Sequence, residues 1–331
     1  MRAVVLVGGF GTRLRPLTAS LPKPMLPVGH RPLIARLIDR LARGGVTEVV
    51  LALGFKPEPF VEAFPDGTCG GVTLRYAVEP EPLDTGGAVR FAADEAGIDD
   101  TFVVANGDIL TDLDMAAMVA AHRGHGAEAT LHLQGVDDPS AFGVAALDAD
   151  DRLLEFVEKP APGTEPSNLI NAGTYVLEPS VLDLIEPGTP VSIERNTFPR
   201  LVERGRAYGF ATDDYWIDAG RPELYRRANL DLLDAGRPDH CDAVAGDAHV
   251  AEDAVLVNSI VGDRAAIGAG ATVTDTVVLP DAIVEPAAIV TSSLVMGRVG
   301  AGATVVDSVI GADGHVSAGT ELRGDSLPSP A

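Results

Sequence analysis

Three glycines in four positions follow the first apolar run of the chain, in Gly8-Gly9-Phe10-Gly11-Thr12-Arg13. Glycine lets the backbone turn sharply and direct its N–H groups at an anion, as phosphate-binding loops do. Two cations accompany this loop, Arg13 at its end and Lys23 within Pro22-Lys23-Pro24. No Gly-Lys-Ser/Thr follows, so the loop is not a Walker P-loop, and its spacing does not fit the dinucleotide fingerprint. The pattern predicts a polyphosphate site made of glycine N–H groups and two positive side chains.

The distribution of charge supports an anion site at the same place. The 331 residues contain 25 Lys and Arg against 48 Asp and Glu, a net charge of −23. Such an acidic protein is a poor non-specific binder of nucleic acid or of anionic membranes, because both need a basic surface. Residues 1–40 are the exception, with seven basic residues against Asp39 alone. A solvated arginine-rich face would give the same local balance, so the alternative of a plain surface stays open at this point.

Alternating strands and helices are predicted to position this loop. Strand-like apolar runs lie at 3–7, 49–53, 73–78, 102–105 and 129–133, and segments with helical spacing lie at 32–43, 87–96 and 113–123. Such alternation predicts an α/β domain with a Rossmann-like, mostly parallel sheet covered by helices. Ligands bind such sheets beyond the carboxyl ends of the strands. Asp108 follows a predicted strand and a glycine, so we expect its carboxylate at that edge.

The character of the sequence changes after about residue 235. The last aromatic residue is Tyr225, and aliphatic residues then recur at every sixth position, at Val261, Ile267, Val273 and Leu279 and again at Ile310, Val316 and Leu322. Short strands that turn at a six-residue period are typical of a β-solenoid, with about 18 residues in a three-sided coil and about four coils over 250–323. An ordinary Val/Ala-rich β domain is the alternative. We predict a catalytic domain at 1–235, a linker at 236–248 and a β-helix at 249–325.

An ordered set of motifs resembles the nucleotidyltransferase family of sugar-nucleotide pyrophosphorylases. The set comprises the glycine loop, Pro22-Lys23-Pro24-Met25-Leu26-Pro27, Asn106-Gly107-Asp108, Phe142-Gly143-Val144, Glu158-Lys159-Pro160, Asn171-Ala172-Gly173 and Trp216-Ile217-Asp218. Each tripeptide is common by itself, whereas their order along nearly the whole chain is specific. The tail resembles the left-handed β-helix of hexapeptide repeats that many members carry.

The resemblance implies a reaction and a set of site residues. A sugar 1-phosphate attacks the α-phosphorus of a nucleoside triphosphate, and pyrophosphate leaves. Implied catalytic residues are Arg13, Lys23, Asp108, Lys159 and Asp218, of which Asp108 and Asp218 would hold Mg²⁺. The nucleotide would contact Gly8, Gly9, Gly11, Thr12, Asp84, Thr85 and Gly86, and the sugar phosphate would contact Gly143, Glu158, Lys159 and Asn171. Asp84 stands where many members have glycine, and its carboxylate would suit the N1–H and N2–H₂ groups of guanine; a turn aspartate facing solvent is the alternative.

The segment Ser192-Ile193-Glu194-Arg195, followed by Phe198-Pro199, looks like one found in mannose-1-phosphate guanylyltransferases, although Asn196 replaces the expected glutamate. We therefore expect GTP and mannose 1-phosphate as substrates. Thymidylyl- or uridylyltransfer to glucose 1-phosphate is the nearest alternative. Two other classes remain: a regulatory homologue that binds sugar nucleotides without turnover, and a bifunctional acyltransferase that uses His249 or His315 of the solenoid as base.

Two cysteines, Cys69 and Cys241, cannot form a disulfide framework and suit a reducing compartment. The chain has no apolar run of the roughly 20 residues that a membrane helix needs. We expect a cytoplasmic protein that binds neither nucleic acid nor membranes and forms a homo-oligomer through the β-helix, whose ends must be capped or paired.

Overall fold

The computed structural model describes residues 1–9, 11–54 and 57–329; Lys56, expected at the surface, lies outside them. The helices are α1 (Leu33–Arg43), α2 (Glu58–Ala63), α3 (Asp84–Ala96), α4 (Met115–His125), α5 (Phe198–Glu203) and α6 (Pro222–Leu230). The strands before the tail are β1 (Arg2–Leu6), β2 (Pro27–Val28), β3 (Arg31–Pro32), β4 (Glu48–Leu53), β5 (Thr68–Cys69), β6 (Val72–Val78), β7 (Phe102–Asn106), β8 (Ile109–Thr111), β9 (Ala129–Gly135), β10 (Gly143–Leu147), β11 (Leu153–Glu158), β12 (Leu169–Leu177), β13 (Ala207–Thr212) and β14 (Trp216–Asp218).

The tail adds β15 (His249–Val250), β16 (Val255–Val257), β17 (Ile260–Val261), β18 (Ala266–Ile267), β19 (Thr272–Thr274), β20 (Val277–Val278), β21 (Ile283–Val284), β22 (Ile289–Thr291), β23 (Leu294–Val295), β24 (Arg298–Val299), β25 (Thr304–Val306), β26 (Val309–Ile310), β27 (His315–Val316), β28 (Glu321–Arg323) and β29 (Ser326–Leu327). The chain forms two compact units. Unit 1 contains residues 1–9 and 34–216, and unit 2 contains residues 11–33 and 217–329. The predicted boundaries at 235 and 249 stay a prediction.

Unit 1 is built on a mixed sheet. In its described part the sheet has ten strands in the order β11-β10-β12-β7-β1-β4-β6-β5, with β9 next to β12 and β13 next to β9. Strands β7, β1, β4 and β6 are parallel, and their register pairs Leu6 with both Ala52 and Asn106. Four parallel strands therefore end at one edge, where the chain continues into Gly8, Gly54, Glu79 and Gly107.

The core of unit 1 lies between this sheet and its helices. Buried side chains of α3, Ala88, Val89 and Ala92, pack with Val4 and Val50 of the parallel strands. Burial of such aliphatic groups contributes about 25 cal/mol per Å² of apolar surface, which is the main favourable term in folding. Helix α1 begins at Leu33, one residue after the predicted start at 32, because Pro32 pairs within the β2–β3 hairpin.

The tail of unit 2 is the predicted left-handed β-helix. Over residues 249–327 it forms three parallel sheets of five short strands each, β15-β18-β21-β24-β27, β16-β19-β22-β25-β28 and β17-β20-β23-β26-β29. Val261, Val273 and Ile310 point into its apolar core with 0% exposure. The fold class predicted from the sequence is confirmed for both parts of the chain.

The coil is shorter than the expected 18 residues. Successive strands of the first sheet start at His249, Ala266, Ile283, Arg298 and His315, which are 17, 17, 15 and 17 residues apart. The inward residues Ile267 and Val273 keep the six-residue spacing, whereas Val278 follows Val273 after five. At this tighter corner a ladder of buried hydroxyls accepts N–H groups from the next coil, as Ser259 does from Thr276 at 3.1 Å and Thr276 from Ser293 at 3.2 Å. The hydroxyl ladder thus lines the corner at which the inward residues Val273 and Val278 are five positions apart.

Residues 11–33 pack within unit 2. The backbone N–H of Gly29 donates to Asn229 Oδ1 at 2.8 Å, and the hydroxyl of the buried Tyr225 donates to the carbonyl of Pro27. The segment also reaches the β-helix, where a Cβ at Gly311 would lie 2.7 Å from Pro16 Cβ. The basic segment is thus held by α6 and by a coil of the tail. No helix of the described residues is long and apolar enough to cross a membrane.

A buried histidine in β9 predicts a pH dependence of stability. His132 has 0% exposure, Thr212 Oγ1 lies 3.0 Å from its Nε2, and its Nδ1 has no partner among the described residues. Burial lowers its pKa to about 4, against about 6.5 for an unfolded histidine. The unfolded chain therefore binds a proton that the folded chain does not between pH 6.5 and 4, so stability falls as the pH falls through this window.

We expect a loss of ~3 kcal/mol in the free energy of unfolding across that window. Urea titrations followed by the fluorescence of Trp216, the single tryptophan, measure it at each pH. His132→Leu should flatten the slope by about one proton, and the exposed His249→Gln serves as the control. An unchanged slope in His132→Leu would assign the acid sensitivity to other groups.

Candidate active site

The first part of the glycine loop lies in unit 1, at the carboxyl end of β1. Gly8 sits against the chain after β4: a Cβ on Gly8 would lie 3.3 Å from the backbone nitrogen of Gly54. Gly9 is exposed and faces open space. Gly8 thus approaches the backbone of Gly54 closely, and the exposed Gly9 leaves its backbone accessible to a ligand.

The second part of the loop lies in unit 2. Gly11 has a φ of 58°, the left-handed region that favours glycine, and its carbonyl accepts a hydrogen bond from Thr18 Oγ1 at 2.8 Å. A 3₁₀ turn, Thr12–Leu14, follows and leaves Thr12 and Arg13 exposed while Leu14 is buried. The burial of Leu14 anchors the turn, so that Arg13 is presented outward.

Unit 2 brings three of the expected catalytic residues together around Gly220. Lys23 is only 7% exposed, and its Nζ donates to Asp218 Oδ1 at 3.1 Å. A Cβ on Gly220 would lie 2.8 Å from Asp218 Oδ1, 3.0 Å from Lys23 Nζ and 3.3 Å from Arg13 Nη2. A larger residue at this position would displace the charged ends of these three side chains. The sequence analysis missed Gly220, because nothing in its local pattern shows three charged groups approaching it.

The predicted base-contacting loop opens α3 in unit 1. Asp84 is exposed, has a φ of 58°, and its Oδ1 accepts the backbone N–H of Thr85 at 2.7 Å. The N–H of Leu83 donates to Oε2 of Glu79 at 2.8 Å. Glu79 is 8% exposed, and burial raises its pKa above the usual value. This second carboxylate was missed, although its position directly after β6 parallels that of Asp108 after β7.

Asp108 lies half-buried one residue beyond a glycine at the end of β7. The N–H of Gly107 donates to the carbonyl of Leu6 at 2.8 Å, and a Cβ there would lie 2.6 Å from Val7 Cγ1. The strand end and this glycine fix where Asp108 leaves the sheet. The edge position expected for its carboxylate agrees with this geometry.

The expected sugar-phosphate residues lie on β10–β12 of unit 1. Gly143 is the register partner of Glu158, and a Cβ on Gly143 would lie 2.7 Å from Glu158 Oε2. Burial raises the pKa of Glu158, and the negative charge of Glu194 raises it further. Lys159 is 60% exposed, with its Nζ 3.7 Å from Glu158 Oε1. Asn171 accepts the N–H of Gly173 at 3.0 Å and donates to Tyr175 at 2.9 Å, so its amide is oriented from both ends.

Each unit therefore holds part of the predicted set. Unit 1 contains Gly8, Gly9, Asp84, Thr85, Gly86, Asp108, Gly143, Glu158, Lys159 and Asn171, and unit 2 contains Gly11, Thr12, Arg13, Lys23 and Asp218. Within the described residues no cluster of three or more His, Cys, Asp or Glu side chains forms a ready-made metal cage. Mg²⁺ usually takes one or two carboxylates together with water and substrate phosphates, so single aspartates fit such a site.

Comparisons with known proteins agree with the motifs. The nucleotidyl transferase family profile matches residues 2–235. The mannose-1-phosphate guanylyltransferase of Mycobacterium tuberculosis is 41% identical over 273 residues, which cover 80% of this chain and 75% of that protein. The mannose-1-phosphate guanyltransferase of Candida albicans is 40% identical over 262 residues, covering 78% and 72%.

Solved structures have a similar fold over most of their own length. A Bacillus anthracis structure described as that of a glucose-1-phosphate thymidylyltransferase has a TM-score of 0.64 at 27% identity and covers 72% of this chain and 97% of its own. HddC from Yersinia pseudotuberculosis, complexed with GMP-PN, has a TM-score of 0.59 at 29% identity and covers 70% and 99%. With a family match over most of the chain and relatives near 40% identity, this chain belongs to the nucleotidyltransferase family of sugar-nucleotide pyrophosphorylases.

Proposed function

We propose that the chain transfers GMP from GTP to mannose 1-phosphate and releases pyrophosphate, giving GDP-mannose. The observation that carries the reaction type is the cluster of Arg13, Lys23 and Asp218 around Gly220. The choice of substrates is supported by the names of relatives near 40% identity and by the GMP-PN complex of HddC.

The chemistry requires charge and position more than proton transfer. A phosphate monoester has a second pKa of about 6, so the attacking oxygen of the sugar phosphate is already anionic near pH 7. The barrier comes from repulsion between two polyanions and from the charge that grows on pyrophosphate. Arg13 and Lys23 would stabilise the triphosphate and the leaving group. The exposed Lys159 would bind the sugar phosphate, while Glu158 and Asn171 would bind sugar hydroxyls.

Members of this family use a divalent metal, and we propose Mg²⁺ as the metal, with Asp108 and Asp218 as its protein ligands. Both side chains offer hard carboxylate oxygens, the donors that Mg²⁺ prefers. When bound, the metal would neutralise charge on the phosphates and help to orient them. Lys23 pairs with Oδ1 of Asp218, and so would orient this carboxylate.

The sequence-based assignment of Asp84 to the guanine stays a proposal. One oxygen of Asp84 is engaged by the N–H of Thr85, and the exposed position leaves the carboxylate open to a base. Gly86 is buried at the start of α3 beneath it, and its N–H donates to Val191 at 2.7 Å, so the loop has a fixed backbone. A rigid loop with an accessible carboxylate suits recognition of a base edge.

The test is a pyrophosphate-release matrix of five nucleoside triphosphates against mannose, glucose, galactose and N-acetylglucosamine 1-phosphates with Mg²⁺. We expect GTP with mannose 1-phosphate to give the highest kcat/KM. A preference for dTTP or UTP with glucose 1-phosphate would replace the substrate assignment. Absence of release from every pair would favour a non-catalytic sugar-nucleotide-binding protein. Transfer of an acyl group to any sugar would favour the acyltransferase role, for which His249 and His315 offer two exposed imidazoles.

We also propose that the β-helix mediates self-association. One of its faces carries an apolar patch formed by Val255, Val257 and Ile289, which are 49%, 50% and 47% exposed. Threonines of β19 and β22 fill the outward positions between them, so these three strands present no charge outward. An uncharged, flat, β-branched surface on a protein of net charge −23 supports pairing with a second copy, since repulsion is least there. A cytoplasmic location is supported by the cysteine content, since two cysteines in 331 residues cannot form a disulfide framework.

Placing positive charges in this apolar patch should dissociate the oligomer. We expect light scattering at micromolar concentration to give an oligomer for the unmodified protein and a monomer for Val257→Lys combined with Ile289→Lys. His315→Lys, on a different face of the β-helix, is the matched control and should leave the mass unchanged. A monomeric unmodified protein would refute the proposal.

A further inference from the structure

The segment 189–196, to which the proposed reaction assigns no role, packs against the start of α3 in unit 1. The carbonyl of Val191 accepts the N–H of Gly86 at 2.7 Å and of Gly87 at 3.1 Å, and the N–H of Val191 donates to Leu83 at 3.0 Å. A Cβ on Gly87 would lie 2.6 Å from the carbonyl oxygen of Thr189. The two glycines thus let this segment approach the nucleotide loop at backbone distance.

The segment delivers one carboxylate, that of Glu194. Glu194 lies in a turn, Ile193–Thr197. The hydroxyl of Ser192 caps the start of this turn by accepting the N–H of Arg195. Oε2 of Glu194 accepts the hydroxyl of Thr85 at 2.7 Å and that of Ser192 at 2.8 Å. Both bonds go to the same oxygen, and Oε1 receives none from the described residues. Glu194 is therefore held from one side, with its second oxygen available.

The turn that carries Glu194 packs against β11, the strand that ends at the expected sugar contact Glu158. The negative charge of Glu194 is the second cause, after burial, of the raised pKa of Glu158, while Lys159 and Arg195 act in the opposite direction. Burial is the main cause of the raised pKa of Tyr175, and the negative charges of Glu194, Glu158 and Asp108 raise it further. Two acceptor groups therefore share one wall of unit 1. Such a wall repels phosphate and suits a ligand that presents several hydroxyl donors.

We propose that Glu194 is a specificity-determining residue, which accepts a hydroxyl of the hexose through Oε1 beside Glu158, while Thr85 couples it to the nucleotide loop. The inference rests on the proposed function and deepens it. Glu158 and Glu194 each accept a different hydroxyl, so the sugar is recognised at two points. The bond to Thr85 fixes the orientation of Glu194, and the departure at Asn196 supports the same turn, because Asn196 Oδ1 accepts the N–H of Ser192 at 3.1 Å.

The test uses Glu194→Gln in the full chain, with Glu155→Gln, an exposed carboxylate of β11, as the matched control. A hydrogen bond to a charged acceptor contributes enough that its loss should raise the KM for mannose 1-phosphate about tenfold to a hundredfold. The KM for GTP should change less than about twofold, because the amide oxygen can still accept the hydroxyl of Thr85. A variant that only loosened the turn would affect both substrates.

A series of 2-, 3-, 4- and 6-deoxymannose 1-phosphates identifies the contact. With the unmodified enzyme, one analogue should have a much higher KM than mannose 1-phosphate. With Glu194→Gln, the KM values of that analogue and of mannose 1-phosphate should differ far less, since the contact is already weakened. An unchanged KM for mannose 1-phosphate, or equal penalties for every analogue in both proteins, would overturn the inference.

Calorimetric binding of hexose 1-phosphates separates this inference from the proposed function. If the unmodified chain binds a hexose 1-phosphate without turnover, the proposed reaction fails, and Glu194 is judged by whether Glu194→Gln weakens that binding. If turnover prefers a different sugar, the deoxy series of that sugar is used. If no hexose 1-phosphate binds, both proposals are wrong.

Discussion

Replacing Asp108 by asparagine is expected to lower kcat by a factor of about 10³ while leaving the fold intact. The side chain leaves the sheet at a point fixed by the N–H of Gly107 on the carbonyl of Leu6, so the amide would occupy the same place. The change removes a charged oxygen ligand without altering its shape. Its effect therefore falls on metal binding and on the neutralisation of phosphate charge. Steady-state pyrophosphate release over a magnesium titration measures it, and we expect the magnesium requirement to rise as well.

Asp66→Asn is the matched control for Asp108→Asn, because Asp66 is an exposed aspartate in the turn after α2. It removes the same charge from the surface and should leave kcat and the magnesium requirement unchanged. Circular dichroism and the fluorescence of Trp216 check that both variants are folded. Full activity in Asp108→Asn would remove Asp108 from the metal site.

The second large effect is expected at Lys23. Lys23 is almost fully buried and donates to Asp218, so Lys23→Met leaves a carboxylate without this partner and removes a positive charge next to the phosphates. We expect kcat to fall by about 10²- to 10³-fold. Lys23→Arg should recover only part of the loss, because a planar guanidinium does not fit where the compact ammonium lies between Gly220 and Asp218.

Two further measurements separate this effect from a general loss of charge or of folding. Arg227→Met removes a cation of α6 that is 69% exposed and should leave kcat unchanged. In the double variant Lys23→Met with Asp218→Asn the losses should not add, because the two residues act as a unit. Additive losses would show that Lys23 and Asp218 act independently.

Local pattern was sufficient for much of the fold. The strands predicted at 49–53 and 102–105 are observed as Glu48–Leu53 and Phe102–Asn106, and the helix predicted at 113–123 is observed as Met115–His125. These elements were predictable because buried strands and amphipathic helices each leave a short-range period in the sequence. The coil of the β-helix was overestimated by one residue in three of the four measured repeats and by three in the other, because the sequence period does not show which corners are shorter than six residues.

Only part of the candidate site was predicted, because contacts between distant residues leave no short-range pattern in the sequence. The order of the motifs indicated Arg13, Lys23 and Asp218. The place of Gly220 in the site could be recognised only from the structure, in which Lys23 and Asp218, 195 positions apart, meet beside it. Glu194 was noted as part of a motif, but its bonds to Thr85, 109 residues away, were not predictable. Contacts at such separations depend on how strands and turns are assembled.

The sequence by itself determined the family, the two kinds of fold and the identity of the groups able to bind phosphate, because these depend on residue type, order and local period. The tertiary structure alone decided which groups meet. It placed residues 11–33 with α6 and the tail in unit 2, and it brought the 189–196 segment to the nucleotide loop through Gly86 and Gly87. The physical reason is that close backbone approach and the pairing of buried charges are set by long-range packing, which no local stretch of sequence encodes.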